Sequence, residues 1–369
     1  MVLVNGRPCG HIYPKRGLRQ GDPISLYLFI LCAEALSALL MKANEKGVLD
    51  GVPTSRRGLR VSHLLFADNS LLFCRSTPTQ WENLTNVLKV YEDASAQCLN
   101  NNKMSIFFGR NMAAEDKRQI LEISGLSDSQ RYDTYLGLPA LVGKSQTAAF
   151  RGIVDRVWKK LQDWKIKFLS QAGREILLKA VVQAILTYCI SVFLLPRALC
   201  AEINSHMRKF WWGSKENKSR VNWMSWGRSG LSKEAGGLGF RDFMSFNKAL
   251  LAKQAWRLWQ NLDSLAGKIL KAKYYPDSSV LEAKVGRRPS FTWRSIHSSY
   301  DLLREGLMWR VGNGGKIKIW NDRWMFDWVW RNSLIPAIWN PNDTVDKLID
   351  QDSEWWNKEV LDYSSLRRK

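Results

Sequence analysis

The sequence predicts an α+β fold in which short hairpins are embedded in a mostly helical chain. Three observations indicate this class. Two polar residues interrupt an apolar run at 63–73, as in a β-hairpin. Residues 81–98 carry apolar side chains at helical spacing, and residues 176–195 form the longest apolar stretch of the chain. Hairpin and helix signals thus occur together, which is the combination expected of an α+β protein.

The hairpin at 62–74 is the stretch with the clearest chemical meaning. We predict that Asp68 and Asn69 form its tip, because both residue types tolerate the positive φ of a two-residue turn. A tight hairpin holds a carboxylate on a stiff support, and Mg²⁺ in phosphoryl chemistry accepts little geometric error. The alternative is an ordinary surface hairpin in which Asp-Asn is simply good turn chemistry.

The elements around the hairpin follow a definite order. A basic, glycine-containing loop at 16–25 leads into a helix whose first turn contains Pro23 and Ser25. A second helix at 81–98 and a short strand at 105–108 come after the hairpin. The inward side chains predicted for the two helices are Leu28, Phe29, Leu31, Cys32, Ala35, Leu36, Leu39 and Leu40, and then Leu84, Val87, Leu88 and Tyr91.

The apolar stretch at 176–195 is better explained as a buried helix than as a membrane span. It contains Lys179 and Gln183, which are costly at mid-bilayer, and Pro196 ends it. We therefore expect no membrane association. The residues predicted to share its apolar face are Ile176, Leu177, Ala180, Val181, Ala184, Ile185 and Tyr188.

Composition indicates a globular protein with a polyanionic partner. The chain has 369 residues, of which 45% are hydrophobic and 24% charged, and its net charge is +21. Residues 201–331 alone carry 24 basic and 11 acidic side chains. This balance favours nucleic acid or an anionic membrane surface as the partner. A solvated basic surface without a ligand is the alternative.

Tryptophan and cysteine usage add two expectations. Fifteen of the eighteen Trp lie between Trp211 and Trp356, interleaved with basic residues. These rings either stack on bases or pack in a core, and their helical spacing favours the core. The six Cys are widely spaced, and no secretory signal opens the chain. We therefore expect an intracellular protein, in the nucleus or cytoplasm.

With these elements identified, the chain resembles the reverse transcriptase of plant non-LTR retrotransposons, the long-interspersed-element type. The resemblance covers nearly the whole chain in the family's order. Its motifs lie at 16–25 with 27–37, 66–68, 91–97 with Lys103, 135–139, 164–184, 210–213, 236–241 and 292–295.

The resemblance implies a role for each matched position. Asp68 would contact both catalytic metals, Mg²⁺ or Mn²⁺, and Lys103 would lie near the leaving pyrophosphate as an acid. The turn Tyr135-Leu136-Gly137 would grip the primer end. The residues that would shape the pocket for the incoming nucleotide and the template base are Arg19, Gln20, Gly21 and Pro23. The partners implied are an RNA template and a DNA primer.

The chain departs from the family pattern in ways that bear on activity. The family has Asp-Asp where this chain has Asp68-Asn69, so Asn69 marks the position of a lost carboxylate. We expect the first catalytic Asp of the palm, the fingers and the downstream Cys/His cluster to be missing, so that the chain is truncated at both ends. One carboxylate on one hairpin cannot hold two ions and also orient a primer 3′-OH.

The resulting prediction is an inactive fragment of an RNA-directed DNA polymerase. Its regions would be an incomplete polymerase palm at 1–110, a primer-grip-like turn with thumb-like helices at 111–200, a basic Trp-rich connection at 201–331 and an acidic tail at 332–369. The alternatives are a non-specific, basic nucleic-acid-binding relic without catalysis, and a product without function.

Overall fold

The computed structural model confirms the α+β class. It describes residues 2–10, 21–55, 58–109, 112–126, 128, 134–139, 142–143, 145–165, 169–215, 218–219, 221–325, 339–350, 353 and 355–363. Within these residues, helices predominate, and the strands form antiparallel pairs of two. Local pairing and helix packing therefore build the fold, without an extended sheet.

The helices vary in length from one turn to six. They are α1 Pro23–Glu45, α2 Pro78–Ser95, α3 Ala114–Ser124, α4 Gln146–Lys165, α5 Gln171–Leu177, α6 Gln183–Ile190, α7 Arg197–Trp212, α8 Trp226–Ser229, α9 Phe243–Gln260, α10 Leu265–Tyr274, α11 Phe291–His297, α12 Tyr300–Gly306 and α13 Lys358–Tyr363. A π-helix at Leu178–Val182 joins α5 to α6, and 3-10 turns lie at Asn101–Lys103 and Val345–Leu348.

The strands are short and pair with their neighbours in sequence. In the part of the chain that the structure describes, the hairpins are β1 Val2–Val4 with β2 Arg7–Cys9, β3 Val52–Pro53 with β4 Arg60–Val61, β5 His63–Phe66 with β6 Asn69–Leu72, β7 Thr134–Tyr135 with β8 Leu138–Pro139, and β9 Ser214–Lys215 with β10 Lys218–Ser219. The strand predicted at 105–108 is reduced to one bridge, between Ile106 and Asp128.

The chain divides into two compact units, each built from separate stretches of sequence. The first comprises residues 1–170, 201–210 and 258–289, and the second comprises 171–200, 211–257 and 290–369. The domain boundaries expected at 110, 200 and 331 stay predictions.

The core of the first unit lies between α1 and α2. Its buried residues are Leu36, Leu40, Ala43, Leu49, Leu84, Leu88 and Tyr91. The inward face predicted for α2 is confirmed, since three of its four residues are buried and Val87 packs against them. In α1 the prediction is confirmed for Cys32, Leu36, Leu39 and Leu40, which are buried or pack against this core. Leu28, Leu31 and Ala35 are exposed, so the prediction is wrong for them.

The N-terminal half of α1 is an exposed apolar surface. Asp22 caps the helix by accepting a hydrogen bond from the Ile24 backbone N–H at 3.0 Å, and Pro23 occupies the first turn as predicted. By length and composition α1 could cross a membrane, and 11% of its most apolar 18-residue window is buried. Core helices of soluble proteins and signal sequences pass the same test.

In the second unit, the face predicted for 176–195 is wrong. Ile176 and Tyr188 are 65% and 50% exposed, and Ala180 and Ala184 are exposed as well. The buried residues are instead Leu178, Val182, Gln183, Leu186, Cys189 and Ile190. The error begins at Ile176, before the π-helix, and the buried residues still follow helical spacing. Because 176–195 is apolar almost all round, periodicity alone does not select which face packs inward. The segment is a buried helix as expected, with the opposite face inward.

A buried asparagine fixes the chain that follows α6. Asn247 on α9 donates two hydrogen bonds from Nδ2, to the carbonyls of Ile190 at 2.6 Å and Phe193 at 2.9 Å. Its Oδ1 accepts from the Leu195 N–H at 2.9 Å. One side chain thus satisfies three backbone groups where the helix ends, which offsets the cost of burying them.

Most described Trp rings of the basic region pack against the protein. Trp211 lies edge-on to Phe240 with centroids 5.3 Å apart, and Trp226 stacks on the same ring at 5.0 Å. Trp293 is fully buried, whereas Trp223 is 84% exposed. The core interpretation of these rings is therefore confirmed for most of them, and Trp223 is an exception.

Two adjacent residues of α1 test whether the first unit depends on its C-terminal half. Leu40 is fully buried, and Met41 is 53% exposed. Leu40→Ala is expected to lower the free energy of unfolding by about 3 kcal/mol, because it removes buried apolar area and leaves a cavity. Met41→Ala should cost less than about 1 kcal/mol. Urea unfolding of both variants measures the difference, and equal losses would contradict this packing.

Candidate functional site

The hairpin of β5 and β6 is present as predicted, but its tip lies one residue earlier. Phe66 pairs with Asn69 and Leu65 with Ser70, so the two turn residues are Ala67 and Asp68. Ala67 takes the positive φ of 47° that the prediction assigned to the polar pair. Asn69 is therefore the first residue of β6. The shift arises because the pairing register follows the inward leucines rather than the preferences of the turn residues.

The two faces of the hairpin have different environments. His63, Leu65 and Leu72 share one face, and both leucines pack against the α1–α2 core. Phe66 belongs to the opposite face and is 59% exposed. The hairpin is thus held from one side, while its other face and its turn are open to solvent.

Hydrogen bonds reinforce the packed face. The Ser37 hydroxyl on α1 lies 3.0 Å from Nε2 of His63, and the Ser62 hydroxyl lies 2.9 Å from Nδ1. Both ring nitrogens of His63 therefore have hydroxyl partners, and burial lowers the pKa of this histidine. The ring joins the hairpin to α1 at a fixed register. Sequence reasoning missed this role, although His63 lies two residues from the inward Leu65.

Asp68 and Asn69 are both exposed at the open end of the hairpin. The Asn69 amide Nδ2 donates to Oδ1 of Asp68 at 3.3 Å, so the neutral side chain engages one oxygen of the carboxylate. Carboxylate and amide oxygens are suitable Mg²⁺ ligands, but one carboxylate does not fit a clamp for two ions. Among the described residues, no group of three His, Cys, Asp or Glu could hold a metal ion.

The predicted nucleotide and template pocket falls partly outside the described residues. Arg19 and Gln20 lie outside the described residues. Gly21 is exposed with a φ of 91°, a conformation that favours glycine. It directly precedes the Asp22 cap, so the loop enters α1 through a sharp bend at Gly21 and Pro23.

Lys103 ends the 3-10 turn Asn101–Lys103 and is exposed. The turn is closed locally, since the Asn100 side chain accepts from the Asn102 N–H at 3.1 Å. Among the described residues, no hydrogen bond or ion pair joins Lys103 to Asp68. The role of Lys103 as an acid stays a prediction.

The turn at 135–137 is a tight hairpin loop. Tyr135 pairs with Leu138, which leaves Leu136 and Gly137 as the two turn residues, with φ of 51° and 78°. Glycine suits this conformation, whereas Leu136 adopts it at an energetic cost. The Gly137 carbonyl accepts a hydrogen bond from Nη2 of Arg156 at 3.3 Å. No sequence motif pointed to Arg156, because 18 residues separate it from the turn.

Comparisons with known proteins agree with the motif order. Residues 1–171 match the family model described as reverse transcriptase (RNA-dependent DNA polymerase). An uncharacterized mitochondrial protein of Arabidopsis thaliana is 45% identical over 145 residues, which are 39% of this chain and 94% of that protein. A second uncharacterized mitochondrial protein of the same plant is 53% identical over 70 residues, or 19% of this chain and 57% of its own length.

A further Arabidopsis thaliana relative is named as a ribonuclease H protein. It is 35% identical over 193 residues, which are 51% of this chain. The match covers only 31% of that protein. The chain thus spans about a third of this relative, whereas it spans nearly all of the 45%-identical mitochondrial protein.

The His63 anchor predicts a pH dependence of stability. Because burial lowers the His63 pKa, the unfolded chain binds more protons than the folded chain below its ordinary value of about 6.5. Stability should therefore fall as the pH drops through that range. Denaturation at pH 7, 6 and 5, followed by hydrogen exchange of the hairpin amides, measures the effect. His63→Gln should flatten the profile.

Ser37→Ala is the control for the His63 experiment. It removes one partner of the ring but keeps the titrating group, so it should lower stability without flattening the pH profile. A His63→Gln profile as steep as that of the wild type would contradict the assignment.

Proposed function

Because this chain belongs to the reverse transcriptase family of retrotransposons, we propose that it binds an RNA template with a DNA primer and does not transfer nucleotides. In this proposal the chain derives from a non-LTR element and retains part of a template-primed polymerase. Reverse transcriptases generally use Mg²⁺ or Mn²⁺ and act on an RNA template with a DNA primer.

The observation that carries the proposal is the β5–β6 hairpin. It presents Asp68 at an exposed turn, while Leu65 and Leu72 fix its other face to the α1–α2 core. A carboxylate on a short hairpin with one packed face is the support that metal-dependent phosphoryl transfer requires. In the proposal, Asp68 is the surviving metal-binding carboxylate of the site.

Asn69 supports the proposed loss of activity. An Asp at this position would add a second negative charge beside Asp68, whereas Asn69 is neutral and its amide donates to the Asp68 carboxylate. The hairpin thus offers one anionic group where two cations would have to be neutralised. Removing a charge next to a divalent ion weakens its binding, because the ion is the largest local charge in such a site.

The other predicted positions complete the proposal. Arg19, Gln20, Gly21 and Pro23 would contact the incoming nucleotide and the template base. Tyr135, Leu136 and Gly137 would contact the primer end, and Lys103 would face the pyrophosphate. The exposure of Gly21, Lys103 and Gly137 supports access of a nucleic acid to these groups. We further propose that the protein is intracellular.

The second candidate is sequence-independent binding of nucleic acid without any polymerase geometry. The charge of +21 favours it, since a basic surface binds phosphates of any polynucleotide. The two candidates differ in what they recognise. A polymerase remnant prefers a recessed primer end, whereas a general polyanion binder treats primed and unprimed templates alike.

Primer extension on an RNA template tests the first candidate. The wild type, Asn69→Asp and Asp68→Ala are compared with Mg²⁺ and with Mn²⁺. We expect no incorporation by any of them, because one hairpin cannot clamp two ions even with its second carboxylate restored. Asn5→Asp, which adds the same charge at another exposed hairpin turn, is the matched control.

Each positive result of the extension experiment has a separate meaning. Incorporation by the wild type, lost in Asp68→Ala, would contradict the proposed inactivity. Incorporation by Asn69→Asp alone would show that the substitution at Asn69 is the lesion.

Binding measurements separate the two candidate functions. The affinity for a primed RNA template should exceed that for the unprimed strand at equal salt, and both affinities should fall steeply with salt. Equal affinities would favour the general polyanion binder. Binding that does not depend on salt would count against both.

A further inference from the structure

Two arginines on α4 have opposite electrostatic environments. Arg151 lies 2.7 Å from the Glu202 carboxylate and 3.6 Å from that of Asp155, so its charge is neutralised within the protein. Arg156 is exposed, and among the described residues no carboxylate lies within ion-pair distance of it. The charge of Arg156 is therefore available to an external anion.

The Arg156 guanidinium is nevertheless held in place. Its Nε donates to the Gly152 carbonyl one helical turn earlier at 3.3 Å, and its Nη2 donates to the Gly137 carbonyl at 3.3 Å. Two of its five N–H groups are thus used for positioning. The remaining N–H groups keep the planar geometry that matches two phosphate oxygens.

Two basic side chains lie next to Arg156 on α4, which also carries the exposed carboxylates of Asp155 and Asp163. Lys159 and Lys160 follow it by three and four residues, which places them on the same side of α4, and both are exposed. The opposite face of the helix is apolar and buried, with Phe150, Ile153, Val154, Val157 and Leu161. Like charges at this spacing repel one another along the helix.

We propose that Arg156 binds a backbone phosphate of the nucleic acid strand that the Tyr135–Gly137 turn contacts, and at the same time holds that turn through the Gly137 carbonyl. The inference rests on the proposed function, which it deepens by naming the group that joins the turn to α4. Lys159 and Lys160 extend the phosphate contact along the helix. Arg156 is a binding and positioning residue in this account.

Salt titrations with the full-length chain test the phosphate contact. The probe is an RNA template with a recessed DNA primer. Arg156→Gln should weaken binding about tenfold at low salt and reduce the slope of log K against log salt by about 0.7–0.9, the value for one phosphate. Arg151→Gln removes the same charge from the same helix, and should leave the slope unchanged because Arg151 is already neutralised.

Hydrogen exchange without nucleic acid tests the positioning role separately. Arg156→Lys keeps the charge but cannot bridge two carbonyls with one planar group, so the amides of 134–139 should exchange several times faster than in the wild type. The salt slope of Arg156→Lys should stay near that of the wild type. A merely structural residue would alter the exchange without the change in slope that Arg156→Gln produces.

Each outcome supports or overturns a defined statement. If the wild type binds and Arg156→Gln shows the same slope as Arg151→Gln, the phosphate contact is overturned and the proposed function stands. If the wild type does not bind at any salt, the proposed function and the phosphate contact are overturned together. Unchanged exchange in Arg156→Lys overturns the positioning role in either case.

Discussion

The packing of one face of the β5–β6 hairpin against α1 and α2 determines the rest of the candidate site. An isolated two-stranded hairpin is marginally stable in water, so this one depends on a second surface. Leu65 and Leu72 supply the apolar contact, and His63 adds a hydrogen bond to Ser37. This contact sets which residues face outward, and hence where Asp68 is presented. Loss of this contact would release the hairpin, and with it Asp68, from the α1–α2 core.

Much of this arrangement can be predicted from the sequence, namely those elements whose position depends on residue spacing alone. The hairpin, the start of α1 and the inward face of α2 follow from alternation, capping and helical periodicity. The position of the hairpin tip does not follow from the sequence. Residue preferences indicated Asp68-Asn69 as the turn. The packing of Leu65 and Leu72 instead sets a strand register that gives Ala67 the positive φ. Tertiary contacts overrode local turn preference.

Two other features of the structure were not predicted, and tertiary contacts explain these as well. The stretch 176–195 is apolar almost all round, so helical periodicity could not select the face that tertiary packing buries. The link between Arg156 and Gly137 joins residues that no local pattern connects. The roles assigned to Lys103 and to the turn at Tyr135 stay predictions, because they concern a bound nucleic acid.

The physical account of the hairpin centres on one charge. Asn69 keeps the shape of a carboxylate side chain but not its charge, and its amide competes for an oxygen of Asp68. A chain with Asn69 can therefore keep the geometry of the hairpin while the affinity of the hairpin for divalent ions is lower. The basic residues of 201–331 do not depend on this change, which is why we propose binding of nucleic acid without catalysis.

The most direct test counts the divalent ions that the hairpin holds. Mn²⁺ is titrated into the full-length chain with a primed RNA template, and bound ions are followed by electron paramagnetic resonance in the wild type, Asn69→Asp and Asp68→Asn. We predict at most one Mn²⁺ dependent on Asp68, bound more tightly in Asn69→Asp. Two ions in the wild type, both lost in Asp68→Asn, would contradict the account.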